Sequence, residues 1–130
     1  MSTFNAIGVA GTGVTVYRKW LDAVSDNIAN IDNVTRTSED AFQARYVVAQ
    51  EAQDGNGAQV GGIAYGSAEG KLSYEPDYPI ADSEGYVRRP DIDLGSQMAQ
   101  MIMAQRAYQA NLSVVDRARD SYTAAINLGK

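Results

Sequence analysis

The chain has 130 residues, a net charge of −5, no cysteine and no histidine. This length allows one domain, and the missing residue types exclude thiol nucleophiles, disulfides, most zinc sites and histidine-based acid–base catalysis. The basic residues are scattered, so nucleic acid is not an expected partner, and the sequence shows neither the apolar run of a transmembrane helix nor the pattern of a secretory signal.

Residues 5–31 carry an apolar heptad pattern, which predicts a first long helix. Thr3 is its expected N-cap. Three glycines in the first half each cost a helix about 1 kcal/mol relative to alanine, so this half should be poorly helical in isolation. Two interpretations stay open: a floppy terminus, or a helix that forms only against a close neighbour. The heptad positions are Ile7, Val14, Leu21 and Ile28, with Ala10, Tyr17, Val24 and Ile31 three residues later.

The middle of the chain indicates a small antiparallel sheet followed by an extended crossing. The sequence DGNG at 54–57 is a strong turn signal, and glycines weaken the strand that follows it. All three prolines lie within 76–92, which favours an extended or turning backbone there. The segments with strand-like composition are 44–50, 58–66 and 71–75.

The stretch Leu94–Leu128 predicts a second long helix, with Asp93 as its N-cap and Gly129 as its stop. Its length of roughly 50 Å is too great for so small a domain to cover, so it requires partners. A heptad beat favours packing against other helices. The beat has one series at Leu94, Met101, Tyr108, Val115 and Tyr122, and another at Met98, Gln105, Leu112, Arg119 and Ile126.

The predicted fold is mainly α with a small β insert. The terminal helices, within residues 1–32 and 93–130, are expected to form an antiparallel coiled-coil domain, and residues 33–92 form the insert and crossing. Gln105 and Arg119 interrupt the apolar series. They either specify register or face solvent at the edge of the stripe.

No catalytic, cofactor-binding or metal-binding residues are predicted. The glycine-rich segment 8–13 lacks both the lysine of a phosphate-binding loop and a preceding strand. Solvated loop acids and one helix cap explain the acidic residues of 77–93 better than a calcium loop does. The chain is therefore not expected to be an enzyme.

Three segments together resemble the rod–hook family of bacterial flagellar axial proteins. SDNIANIDN (25–33) is similar to the family's signature after the first helix, with Asn33 in place of the usual threonine. Residues 74–94 resemble the tyrosine- and proline-rich crossing, and 101–129 resemble the C-terminal helix. Within that family the short length and the PIADSEGYV sequence most resemble a proximal rod protein.

The resemblance implies a structural subunit of the flagellar basal-body rod. Such a subunit would leave the cytoplasm through the flagellar type III apparatus without a cleaved signal and join a helical tube in the periplasm. The implied partners are other copies of itself and other rod proteins of the FlgB, FlgF and distal FlgG types, with the basal-body ring or export gate as further neighbours. The alternative from another class is a soluble helical secretion adaptor or chaperone.

The expected assembly interface consists of the heptad residues of both helices. Asn27 and Asn30 are added because they are placed to satisfy backbone groups where the first helix ends. The interface residues predicted in this way are Ile7, Val14, Tyr17, Leu21, Val24, Asn27, Ile28, Asn30, Met98, Met101, Gln105, Tyr108, Leu112, Val115, Arg119, Tyr122 and Ile126.

Overall fold

A computed structural model describes residues 2–129, without the side chain of Thr3. The strands form two sheets of two strands each, β1–β2 and β3–β4. The predicted combination of two long helices with a small antiparallel β region between them is therefore confirmed. The elements in chain order are α1 (Thr3–Ala29), β1 (Arg45–Glu51), β2 (Ala58–Tyr65), β3 (Lys71–Tyr74), β4 (Tyr86–Arg89) and α2 (Leu94–Leu128).

The N-cap of helix α1 lies one residue earlier than expected. The hydroxyl of Ser2 accepts a hydrogen bond of 3.2 Å from the backbone N–H of Asn5. The carbonyl of Ser2 accepts the first helical bond, 3.0 Å long, from Ala6. Ser2 is therefore the N-cap in place of Thr3, whose side chain lies outside the described residues.

Helix α2 has the predicted ends. The carboxylate of Asp93 accepts a hydrogen bond of 2.7 Å from the backbone N–H of Ser96, and its carbonyl accepts one of 3.0 Å from Gln97. At the other end the helix stops at Leu128, and Gly129 donates a backbone bond of 3.2 Å to Ile126. Asp93 thus supplies the expected N-cap.

The chain forms two compact units. Unit 1 comprises residues 1–21, 47–62 and 102–130, and unit 2 comprises residues 22–46 and 63–101. Each unit contains part of both helices and part of the β1–β2 hairpin. The predicted division into a terminal-helix domain and an insert stays a prediction.

In unit 1 the two helices pack antiparallel through an aromatic pair and a glycine. The rings of Phe4 and Tyr122 meet edge to face with centroids 4.7 Å apart. Further along, a Cβ atom added to Gly13 would lie 2.8 Å from Oδ1 of Asn111. Of the three glycines in the first half of α1, Gly13 is therefore the one that permits close approach of the helices, while Gly8 and Gly11 have no such neighbour within 4 Å.

The β1–β2 hairpin is fixed to α1 by a threonine. The Thr12 hydroxyl accepts a bond of 3.1 Å from the backbone N–H of Ala58 and donates one of 2.6 Å to the carbonyl of Val9. The predicted turn lies between the strands, where Gly55 and Gly57 have φ values of 70° and 108°. Such values favour glycine, which explains the DGNG sequence.

In unit 2 the sheet β3–β4 contains a strand that the sequence did not reveal. Residues 86–89 lie in the predicted crossing, but they pair antiparallel with β3 in a register that sets Tyr74 opposite Tyr86. Thr35 exchanges two backbone bonds of 2.9 Å with Arg88 on the other side. This short strand lies between a glycine and a proline and carries two adjacent arginines, which are not typical of a strand. It forms because its partners, distant in the sequence, pair with it.

Candidate assembly interface

The predicted α1 residues are directed toward the protein's own interior. Ala10 and Val24 are buried, and the other heptad positions of α1 are half-buried. Contact of these residues with neighbouring subunits stays a prediction, but their packing within the chain is clear. The half-buried positions are Ile7, Val14, Tyr17, Leu21, Ile28 and Ile31.

On α2 the two predicted series have different surroundings. In the first series, Met101, Tyr108 and Val115 are half-buried, while Leu94 and Tyr122 are exposed. All members of the second series are exposed, so their surroundings differ from those of Met101, Tyr108 and Val115, and their contact with neighbouring subunits stays a prediction. These exposed residues are Met98, Gln105, Leu112, Arg119 and Ile126.

The inward positions of α2 lie one residue before the second predicted series. Gln97 and Ala104 are buried, with exposed fractions of 2% and 0%, and Asn111 and Ala118 are half-buried. The heptad pattern predicted large apolar residues at the contact positions of α2, whereas the observed inward positions carry small or amide side chains. Asn111, which contacts Gly13, shows the reason: close approach of two helices leaves little room for a large residue. The recurrence of small or amide residues every seven positions was the sequence signal that could have identified the inward side of α2.

Asn27 forms the most fully buried polar cluster of unit 2. Its amide nitrogen donates bonds of 3.0 Å both to Oε1 of Gln97 and to the carbonyl of Arg45, and its oxygen accepts a bond of 2.7 Å from the Arg45 N–H. Asn27 is 0% exposed. One side chain thus joins α1, α2 and the start of β1, and we call this set the asparagine latch.

Asn30 has the role that the sequence suggested for both asparagines. Its amide donates a bond of 2.8 Å to the carbonyl of Asp26, in the last turn of α1. Asn27 instead satisfies backbone groups of Arg45, which follows α1 by sixteen residues. The signature around residues 25–33 therefore ends the helix and anchors the strand that follows.

A forked ion pair holds the crossing to β4. Arg89 donates bonds of 2.7 Å and 3.0 Å to the two carboxylate oxygens of Glu75, and Asp32 lies 3.9 Å from the same guanidinium. The hydrogen bonds from Arg89 lower the pKa of Glu75 from an ordinary value of 4.5 to about 2. The carboxylate therefore remains ionised across the physiological pH range.

Two acidic residues of the crossing, Asp82 and Asp91, have structural partners. Asp82 accepts backbone bonds of 2.9 Å from Glu84 and Tyr86, and the bond from Tyr86 is the main cause of its lowered pKa. Asp91 pairs with Lys71 at 2.7 Å. Among residues 2–129, no three or more acidic side chains are grouped so that they could hold a metal ion.

The outward surface of α2 carries apolar side chains that the chain itself leaves in solvent. Ile102, Leu112 and Ile126 in unit 1 are between 38% and 50% exposed. Gln105 is exposed among them, and Arg119 forms only local ion pairs, at 3.6 Å with Asp116 and 3.3 Å with Asp120. No helix within residues 2–129 is long and apolar enough to cross a membrane. An exposed apolar stripe of this kind is typical of a protein–protein contact.

Comparisons with known proteins agree on one family. A family model described as flagellar basal body rod FlgEFG protein C-terminal matches residues 83–128. The flagellar basal-body rod protein FlgC of Salmonella typhimurium is 32% identical over the full length of both chains. That of Yersinia enterocolitica is 33% identical over the same extent, and that of Borreliella burgdorferi is 30% identical over 97% of each chain. The chain belongs to the FlgC family of flagellar basal-body rod proteins.

Proposed function

We propose that this protein is a structural subunit of the proximal flagellar rod. It joins its neighbours through the exposed apolar residues Ile102, Leu112 and Ile126 of α2, which we call the outward stripe. Family membership over the full length supports the role in the rod. The observation that carries the assembly mode is the exposure of Ile102, Leu112 and Ile126 on a helix that already packs on α1 through Asn111 and Tyr122. The rod would be a helical tube that transmits torque and encloses the export channel.

The assembly needs no reaction chemistry. A contact between two different surfaces of the same subunit generates an open helical array when its rotation does not close. The last turns of α2 support this geometry, because Tyr122 packs on Phe4 near the start of α1 and residues 123–129 are exposed. Those turns are available to another copy or to a neighbouring rod protein of the FlgB, FlgF or FlgG type.

The route to the rod is part of the same proposal. A rod subunit must reach the periplasm, and the flagellar type III apparatus exports unfolded chains without a cleaved signal. The three glycines in the first half of α1 make this end a weak helix in isolation, which suits a chain that orders fully on joining its neighbours. The basal-body ring and the export gate are the remaining proposed contacts. A secretion adaptor is not favoured, since the full-length relatives are named rod proteins.

The substitution Leu112→Asp tests the outward stripe. Leu112 is 38% exposed, so a carboxylate there leaves the subunit folded but places an unpaired charge in the proposed contact. The expected result is a normal circular dichroism spectrum with loss of rods and of swimming in a strain that carries only this variant.

Ser113→Asp is the matched control. Ser113 is exposed on the next position of the helix, on the side that carries Arg117 and Asp120, so the same added charge stays in solvent. Normal swimming is expected of this variant. Full-length rods in the Leu112→Asp strain would contradict the proposed role of the stripe.

A further inference from the structure

Unit 1 contains an apolar cleft beside the only tryptophan of the chain. Its volume is about 410 Å³, and apolar side chains from α1 and from the β1–β2 hairpin form most of its wall. Asn111 supplies a polar edge, and its amide nitrogen donates to the carbonyl of Ala107. We call this site the tryptophan cleft, lined by Gly13, Val16, Tyr17, Trp20, Val47, Ala49, Ala58 and Asn111.

Unit 2 presents an exposed aromatic surface. Tyr74 and Leu72 alternate on the outer side of β3 and are 64% and 60% exposed. The ring of Tyr74 meets that of Tyr86 edge to face, with centroids 5.3 Å apart, and Tyr78 lines the same small cleft as Tyr74. We call these four residues the tyrosine patch. Exposed aromatic side chains in such a group are typical of interface anchors.

The two units carry opposite net charges. Unit 1 has six basic and four acidic residues, and unit 2 has five basic and twelve acidic residues, so their formal charges are +2 and −7. This asymmetry opposes contacts between two copies of unit 2 and favours contact of unit 1 of one copy with unit 2 of another.

Unpaired charges flank both surfaces. Arg18 and Lys19 are exposed on the turn of α1 that carries Tyr17 and Trp20, and neither forms an ion pair among the described residues. Beside the tyrosine patch, Asp77 and Glu84 are exposed and likewise have no ion pair within residues 2–129. The signs of the charges are complementary across the two surfaces.

We infer that the tyrosine patch of one copy docks in the tryptophan cleft of the next copy. The ring of Tyr74 enters the cleft, whose wall is mostly apolar. Arg18 and Lys19 then face Asp77 and Glu84 of the other copy. Because the two surfaces differ, the contact is head-to-tail, and it repeats along the rod when its rotation does not close. This inference rests on the proposed function and adds to it a second contact, apart from the outward stripe of α2.

Cysteine cross-linking in isolated basal bodies tests the contact, because the chain has no cysteine of its own. A chain with Lys19→Cys and Asp77→Cys, treated with a short bismaleimide, is expected to give a ladder of linked subunits. A control pair in which both positions lie in unit 1, Lys19→Cys and Gln53→Cys, is expected to give no ladder. Rods that contain the test chain but yield no ladder would overturn the contact and leave the rod function intact, whereas absence of the native chain from rods would overturn the function.

If the cysteine chain does not enter rods, an exchange of charges tests the contact between the tyrosine patch and the tryptophan cleft. The double change Arg18→Glu and Lys19→Glu is expected to reduce swimming, and adding Asp77→Lys and Glu84→Lys to the same chain is expected to restore it. Restoration requires that the two sets of charges meet in the assembly, since like charges would then be replaced by opposite ones. Failure of the second pair to restore swimming to a folded chain would overturn the inference.

Discussion

Units 1 and 2 are stabilised by different kinds of contact. Unit 2 is held by directional polar contacts: the asparagine latch, the Glu75–Arg89 fork and the backbone pairing of β3 with β4. Unit 1 relies on close helix approach at Gly13, an aromatic pair and the Thr12 contact to the hairpin. It also exposes Ile102, Leu112 and Ile126 of α2. Directional polar contacts thus hold unit 2 together, whereas the helices of unit 1 leave an apolar stripe for neighbours.

This difference suits a subunit that must arrive as a single chain and then join an assembly. Directional hydrogen bonds define one arrangement of α1, α2 and β1 within unit 2, because each buried amide has a specific partner. Apolar surface in unit 1 gains its stabilisation only when neighbours cover it. Three predictions test whether the contrast is real.

The largest effect is expected from Asn27→Leu. The change keeps the branched shape of the side chain but leaves the Arg45 N–H and carbonyl and the Gln97 side-chain oxygen without a partner. Each buried unsatisfied group costs about 1–3 kcal/mol, so the free energy of unfolding should fall by about 3 kcal/mol in a urea titration. Asn30→Ala removes one exposed bond and should cost less than about 1 kcal/mol. Equal losses of unfolding free energy in the two variants would contradict the claim that the asparagine latch is the main polar contact of unit 2.

A smaller effect is expected from glycine replacements in unit 1. Gly8→Ala meets no atom within 4 Å and should stabilise the helix by about 0.5–1 kcal/mol. Gly13→Ala places a methyl group against Asn111 and should not show this gain. Thermal unfolding of the two variants measures the difference, and an equal gain at both positions would mean that the helices do not approach closely at Gly13.

The smallest effect is a pH dependence in unit 2. The pKa of Glu75 in the folded chain is about 2, below its ordinary value of 4.5. The contribution of the Glu75–Arg89 ion pair to the free energy of unfolding is therefore fully present above pH about 4.5 and is lost as the pH falls through about 2. Urea midpoints measured across this range should fall less steeply for Glu75→Gln than for the native chain. Glu84→Gln, at an exposed carboxylate with no ion pair among the described residues, should retain the native slope.

Much of the fold could be predicted from local sequence signals. The heptads of α1, the cap at Asp93 and the glycine turn at 54–57 each depend on residues close in the chain. Strand β4 could not be predicted, because it pairs through Thr35 and β3 and carries two arginines that need distant partners. The charge on Arg89, for example, is compatible with the strand only because Glu75 lies opposite its guanidinium.

The buried side of α2 could be predicted only in part for a different reason. Beside Met101 and Tyr108, a repeat of seven is compatible with two different second series. One is Gln97, Ala104 and Asn111, and the other is Met98, Gln105 and Leu112. Hydrophobicity favoured the latter set, but close packing against Gly13 selects the former. Leu112 of the exposed set then belongs to the outward stripe of the proposed assembly.

The most direct test of the account is maleimide labelling of a single cysteine on the outward stripe, Leu112→Cys, in the free chain and in isolated rods. Leu112 is 38% exposed in the free chain, so the cysteine should react readily there and be protected in the rod. A cysteine at Ser113 serves as the matched control and should react in both. Equal reactivity of the Leu112→Cys chain before and after assembly would contradict the claim that neighbouring subunits cover this stripe.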